Sequence, residues 1–181
     1  WREDQTTGCT FAVNKYGFDF LWSIEISNEE IIAAGSRGQY PHLNESNKAY
    51  LSTFNKQCEA QSLSIEYKPY SGASVFYDGF RDANSDYYVA CVSKDSDKKN
   101  IGSLIKYDQK GNLLWEHIST ESQSTSYKEI VADRDGNIYL AGTIGYFEDE
   151  ADWHMKKFSP NGVEIIDGWN KRIYNPREDM F

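Results

Sequence analysis

The chain has 181 residues, 39% hydrophobic and 15% aromatic, which is enough apolar material for one globular domain with its own core. A net charge of −9 repels phosphate backbones and argues against nucleic-acid binding, and no apolar run approaches the ~20 residues of a membrane-spanning helix. Cys9, Cys58 and Cys91 are odd in number and form no C-x-x-C spacing. They therefore argue against a disulfide framework or zinc knuckle and read as small buried residues or one casual disulfide. The chain begins at Trp1 with no visible signal peptide, which reads as a mature form or a fragment.

In chain order, the first β-rich runs are expected near 20–26, 30–35, 48–54 and 60–66. The stretch from Ile24 to Ala34, with Glu25, Glu29 and Glu30, also fits a short helix when taken alone. The next four runs fall near 75–81, 86–92, 102–107 and 112–118. The last four fall near 127–132, 137–144, 153–159 and 163–174, with hairpin turns at Asp133-Arg-Asp-Gly136-Asn137 and Pro160-Asn161-Gly162. Tyr87 to Cys91 aligns with Ile138 to Gly142, and Leu104 to Tyr107 with Met155 to Phe158, both at an offset of 51 residues. Ile31 to Gly35 and Leu51 to Phe54 repeat the same features earlier, and this alignment with two strongly β segments favours strands over the helix. Four strands in about 50 residues is the size of one propeller blade. The expectation is an all-β chain of three four-stranded antiparallel β-propeller blades, 20–66, 75–118 and 127–174, within a single segment spanning 1–181.

Lys106-Tyr107-Asp108-Gln-Lys-Gly111-Asn-Leu-Leu-Trp115, followed by Val131-Ala-Asp133-Arg-Asp-Gly136-Asn137-Ile-Tyr-Leu-Ala-Gly142, resembles the repeats called SBBP, for seven-bladed bacterial β-propeller. The resemblance is close in the second and third copies. It is degenerate in the first, where Cys58 stands at the glycine of the C–D turn (A to D running outward in a blade). Sialidase Asp-boxes and quinoprotein propellers fit less well, because their Asp–Gly spacings differ. The resemblance implies an extracellular or surface-associated protein with no common catalytic activity.

Gly111, Gly136 and Gly162 suit positive φ in tight turns, Asp108 and Asp133 suit amide capping within them, and Trp115 suits the face of a neighbouring sheet. Asp133 to Asn137 has a superficial calcium-loop look, but Ile144 stands where that loop's bidentate glutamate belongs. No metal site and no cofactor is expected. The D–A and B–C connections are longer and more varied than the A–B and C–D turns, so they form the expected ligand-binding face. Its candidate residues are Arg37, Tyr40, His42, Lys94, Tyr146, Glu148, Asp149, Glu150 and Asp152. His42, His117 and His154 are isolated, and no catalytic motif appears. The expected function is a non-enzymatic extracellular binding or interaction module for a protein or carbohydrate ligand. The alternative is a carbohydrate-active hydrolase or lyase with loop-borne carboxylates. Three blades do not close a ring of roughly four to eight, so the expected partners include the missing blades of a longer chain or a second copy in a homodimer.

Overall fold

The computed structural model of the protein describes residues 17–27, 30–39, 47–57, 59–70, 72–145, 151–169 and 171–173. Four strands, β1 (Gly17–Ser27), β2 (Glu30–Gln39), β3 (Lys48–Asn55) and β4 (Ala60–Tyr67), form the first sheet in that order. The second sheet is β5 (Ser74–Arg81), β6 (Tyr87–Lys94), β7 (Asn100–Tyr107) and β8 (Leu113–Ile118). The third is β9 (Thr125–Ala132), β10 (Ile138–Ile144), β11 (Asp152–Phe158) and β12 (Lys171–Ile173). Every pairing is antiparallel, and no helix occurs among the described residues. The described residues between Ile24 and Ala34 lie in paired antiparallel strands and not in a helix, as the repeat alignment requires.

Two apolar seams hold the sheets face to face. Ile32, Leu51 and Ile65 of the first sheet pack on Phe76, Val89 and Ile105 of the second. On the opposite face of the second sheet, Tyr88, Ala90 and Leu104 pack on Tyr127, Ile138, Leu140 and Phe158 of the third. Strand β6 lies between both seams, which explains why its apolar run Tyr-Tyr-Val-Ala-Cys-Val does not alternate with polar residues. Cys91 within it is a buried free thiol whose pKa burial pushes up to about 12. No core cluster or strand pairing joins the first sheet to the third among the described residues.

One turn recurs throughout. In Asp82–Asp86, Asp95–Lys99, Asp108–Asn112 and Asp133–Asn137, the first amide donates to the fifth carbonyl and the fourth amide to the first carbonyl. The aspartate Oδ1 then accepts the third and fifth amides. The side chain thus supplies the acceptors that a tight turn lacks. Asn55 makes the equivalent side-chain bonds to Gln57 and Glu59. The fourth residue is left-handed: Gly111, Gly136 and Gly162 in some copies, but Ser85 (φ 71°) and Lys98 (φ 63°) in others. The connection from 93 to 100, expected to be a longer loop, is in fact one of these turns, and β6 pairs with β7 out to Lys94 and Asn100.

Glycine is needed where such a turn also meets the neighbouring sheet. A side chain at Gly111 would come within 2.9 Å of Leu63, and one at Gly162 within 2.9 Å of the Trp115 ring. Trp115 therefore does cover the adjoining sheet, through the third sheet's C–D turn. The outer strand of that sheet is shorter than the expected run over 163–174. It comprises an isolated bridge between Phe158 and Glu164 and then β12, with the chain reversing near Gly168 (φ 72°).

Gly162→Ala should lower the unfolding free energy by about 2 kcal/mol, combining left-handed strain with the Trp115 contact. Lys98→Gly, at an exposed left-handed position, should leave it unchanged or raise it by at most ~1 kcal/mol. Urea denaturation midpoints of the two variants separate these outcomes, and a larger loss for Lys98→Gly would contradict the assignment.

Candidate functional site

Each inner strand carries a bulge at the same place. The register shifts between Leu21 and Ser23 in β1, between Phe76 and Asp78 in β5, and opposite Ala141 and Gly142 in β9. The extra residues are Trp22, Tyr77 and Lys128. A bulge re-aims its side chain out of the ladder, and the three form a row. The Trp22 and Tyr77 rings lie 5.0 Å apart, tilted by 50°, and Lys128 Nζ sits 5.6 Å from the Tyr77 centroid. Trp22 is 53% exposed. An aromatic surface ending in a cation, mounted on paired strands, is rigid and amphipathic.

Beside the row stands Asp78. Its Oδ1 accepts Ser23 Oγ at 2.5 Å and the Gly79 amide at 2.9 Å, and its Oδ2 accepts the Ile130 amide at 3.1 Å. Glu25, two residues beyond Ser23 on β1, has its pKa pushed up to about 7, first by burial and then by the negative charge of Asp78. A carboxyl poised near neutrality can donate or accept a proton. The inner strands thus bring together two aromatic rings, a lysine, a fixed carboxylate and a raised acid.

The residues expected from the sequence are placed differently. Arg37, Lys94 and Asp152 stand at corresponding ends of β2, β6 and β11, one in each sheet. Arg37 Nη1 lies 3.5 Å from Glu66 and over the Tyr50 ring, and Lys48 shares Glu66 at 2.7 Å. Asp152 is nearly buried and accepts Arg172 Nε at 2.5 Å. Lys94 is exposed. No hydrogen bond or ion pair joins these three to one another among the described residues. Tyr40, His42, Tyr146, Glu148, Asp149 and Glu150 lie outside the described residues, as do Cys9 and Cys58.

The Asp133 turn spends its carboxylate internally. Oδ1 takes two turn amides, and Oδ2 takes the Asn137 amide group and the Tyr139 hydroxyl at 2.9 Å each. These bonds, chiefly from Asn137, hold its pKa down to about 2. Among the described residues, no group of three His, Cys, Asp or Glu side chains is arranged to hold a metal ion. No family model matches the chain, and no curated protein matches it.

Sequence reasoning passed over Trp22, Glu25, Tyr77, Asp78 and Lys128. The signal available was positional. The 51-residue offset between the second and third repeats sets Tyr77 on Lys128, and Trp22 lies 55 residues before Tyr77, but the three share no chemistry.

Two measurements probe the site. Glu25 binds its proton more tightly folded than unfolded, so its ionisation opposes folding. Stability should therefore fall as pH rises from its ordinary value near 4.5 through about 7. Thermal melts of wild type and Glu25→Gln across that range should show the variant losing this decline. Asp78→Ala leaves the Ile130 amide and the Ser23 hydroxyl without their acceptor. It should cost about 2–3 kcal/mol in urea unfolding, against roughly 1 kcal/mol for Ser23→Ala.

Proposed function

We propose that this chain is a non-enzymatic binding or interaction module built from SBBP-like β-propeller blades. It acts outside the cell or at the cell surface and takes a protein or carbohydrate ligand. The observation that carries the reading is the row Trp22, Tyr77 and Lys128 on the inner-strand bulges. Aromatic faces offer contact area at little conformational cost, and a lysine at the end of the row adds a charged anchor for a hydroxyl-rich or acidic group. The D–A and B–C connections supply the rim, with Lys94 exposed there. The SBBP-like turn motifs support the surface location, and the acidic composition suits a protein target in preference to nucleic acid.

The alternative, a carbohydrate-active hydrolase or lyase, gains one specific observation: Glu25, raised toward neutrality beside Asp78, has the character of a general acid. Its carboxylates come from inner strands and not from loops.

Glycan and peptide microarrays probed with the labelled chain test the two readings. A retained ligand whose affinity falls roughly tenfold or more in Trp22→Ala and Lys128→Ala, with unchanged melting temperature, supports the binding module. Turnover of a captured glycan that disappears in Glu25→Gln, with its basic limb near pH 7, supports the enzyme instead. Binding insensitive to Trp22 and Lys128 but lost in Lys94→Ala would move the site to the loop face.

A further inference from the structure

The second and third sheets repeat part of an aromatic cluster as well as the order of strands. On the second sheet, Phe80 stacks on Tyr88 with centroids 5.0 Å apart, Lys106 Nζ lies 4.7 Å over the same ring, and Trp115 meets it edge-on at 5.9 Å. The third sheet covers this group. Pro160 O accepts the Tyr88 hydroxyl at 3.4 Å, and Gly162 sits against the Trp115 ring.

The third sheet carries the tyrosine, lysine and tryptophan of this group on its other face. Lys157 Nζ lies 4.9 Å over the Tyr139 ring, and Trp169 meets that ring edge-on at 4.9 Å. Trp169 takes the place of Trp115 beside the lysine, with Lys157 Nζ 5.2 Å from its ring centroid. It does so from a turn and not from the strand register, since Phe158 bridges Glu164 and the Ile165 amide donates to Lys157 O. The cover differs between the two faces. Ala90 and Leu104 are fully buried, whereas their counterparts Ala141 and Met155 are only partly so, and Val131, in the position of Phe80, is 60% exposed.

One position is inverted in size. Gly102 lies beneath Tyr127 of the next sheet, and a side chain there would come within 2.5 Å of that ring. Its counterpart on the third sheet is Trp153, 67% exposed. Whatever covers this face must therefore be small where Tyr127 is large.

We propose that the free face of the third sheet is a docking surface for a further four-stranded blade. That blade places the glycine of its C–D turn over Trp169 and a small residue opposite Trp153. The inference rests on continuity with the seam between the second and third sheets, and it is independent of the binding role proposed above. The first sheet of a second copy is the wrong shape, because β1 presents Leu21, not a small residue, in the position of Tyr127.

The test extends the full chain with a second copy of residues 119–173 carrying Tyr127→Ala. Both proteins are labelled with 5-fluorotryptophan, and Trp153 and Trp169 of the receiving sheet are assigned through Trp153→Phe and Trp169→Phe. On extension, their fluorine resonances should lose the H2O/D2O solvent shift, and the melting temperature should rise. Gly162→Val in the appended copy alone should restore the solvent shift. Resonances that stay solvent-sensitive in the extended chain would overturn the proposal. An appended repeat that stays unfolded has the same meaning, because a lone sheet has no core of its own and failure to be templated is failure to dock. Burial that survives Gly162→Val overturns the turn-over-Trp169 arrangement. A two-chain mass by light scattering for the unextended protein, with both resonances already buried, assigns the face to a second copy and overturns the choice of occupant.

Discussion

Apolar seams hold sheets together but do not say how far one may slide along the next, because burial of apolar area has no direction. Asp78 supplies the direction. From the bulge of the middle inner strand, its carboxylate accepts a hydroxyl from β1 and a backbone amide from β9. One side chain thereby fixes the stagger of all three sheets. Hydrogen bonds to an ionised acceptor are short and stronger than neutral ones. The bulges are what make this possible: without the extra residue in β5, the register of Asp78 would slip by one and its side chain would turn to the other face of the sheet. The neighbouring row of Trp22, Tyr77 and Lys128 follows from the same three bulges, so the frame and the candidate site share one cause.

Polar groups along the seams then make the order of the sheets specific. Between the first and second, Arg81 Nη1 meets Glu30 at 2.7 Å, and the Tyr87 hydroxyl donates to the same carboxylate oxygen at 3.0 Å. The Tyr67 hydroxyl donates to Glu116 across the same pair. Between the second and third, Lys156, only 5% exposed, lies 3.2 Å from Glu164 and 3.7 Å from Glu121. His117 Nε2 stands 3.6 Å from Glu164. Burial lowers the pKa of His117, with Lys156 adding to the effect and Glu164 opposing it. Such groups are costly to desolvate unless paired, so a sheet moved to the wrong seam would bury unpaired charge. The apolar residues make the sheets adhesive, and these pairs decide which adheres to which.

The strands and turns were legible because each had a local physical signature. Asp at the first turn position and Gly at the fourth describe a hydrogen-bonding pattern that the structure repeats at Asp108 and Asp133. The same turn at Asp95 is not legible in the sequence, because Lys98 holds the left-handed position with a side chain that sequence rules assign to glycine. The last outer strand was overdrawn because Val163, Ile165, Ile166 and Trp169 read as a strand, whereas the turn at Gly168 breaks the run. The candidate site was the least legible part. A bulge leaves no compositional mark, and nothing in the sequence of Glu25 announces that Asp78 lies beside it. Arg37 and Asp152 read in the sequence as charges on the loop face, and the fold gives each a partner in its own sheet.

The size inversion at Trp153 bears on how similar blades avoid pairing wrongly. A face that repeats an internal seam is adhesive, and the exposed Trp153 and Ile173 add apolar surface of the kind that draws chains together. A glycine at position 153, as at 102, would let that face accept any blade with an aromatic residue at the start of its inner strand, this protein's own second and third repeats among them. A tryptophan there blocks those repeats, since Phe76 and Tyr127 would strike it. The net charge of −9 opposes the same encounters at longer range. Steric mismatch and like charge thus act on the same error, the wrong pairing of similar blades, which is the hazard intrinsic to a chain built from repeats.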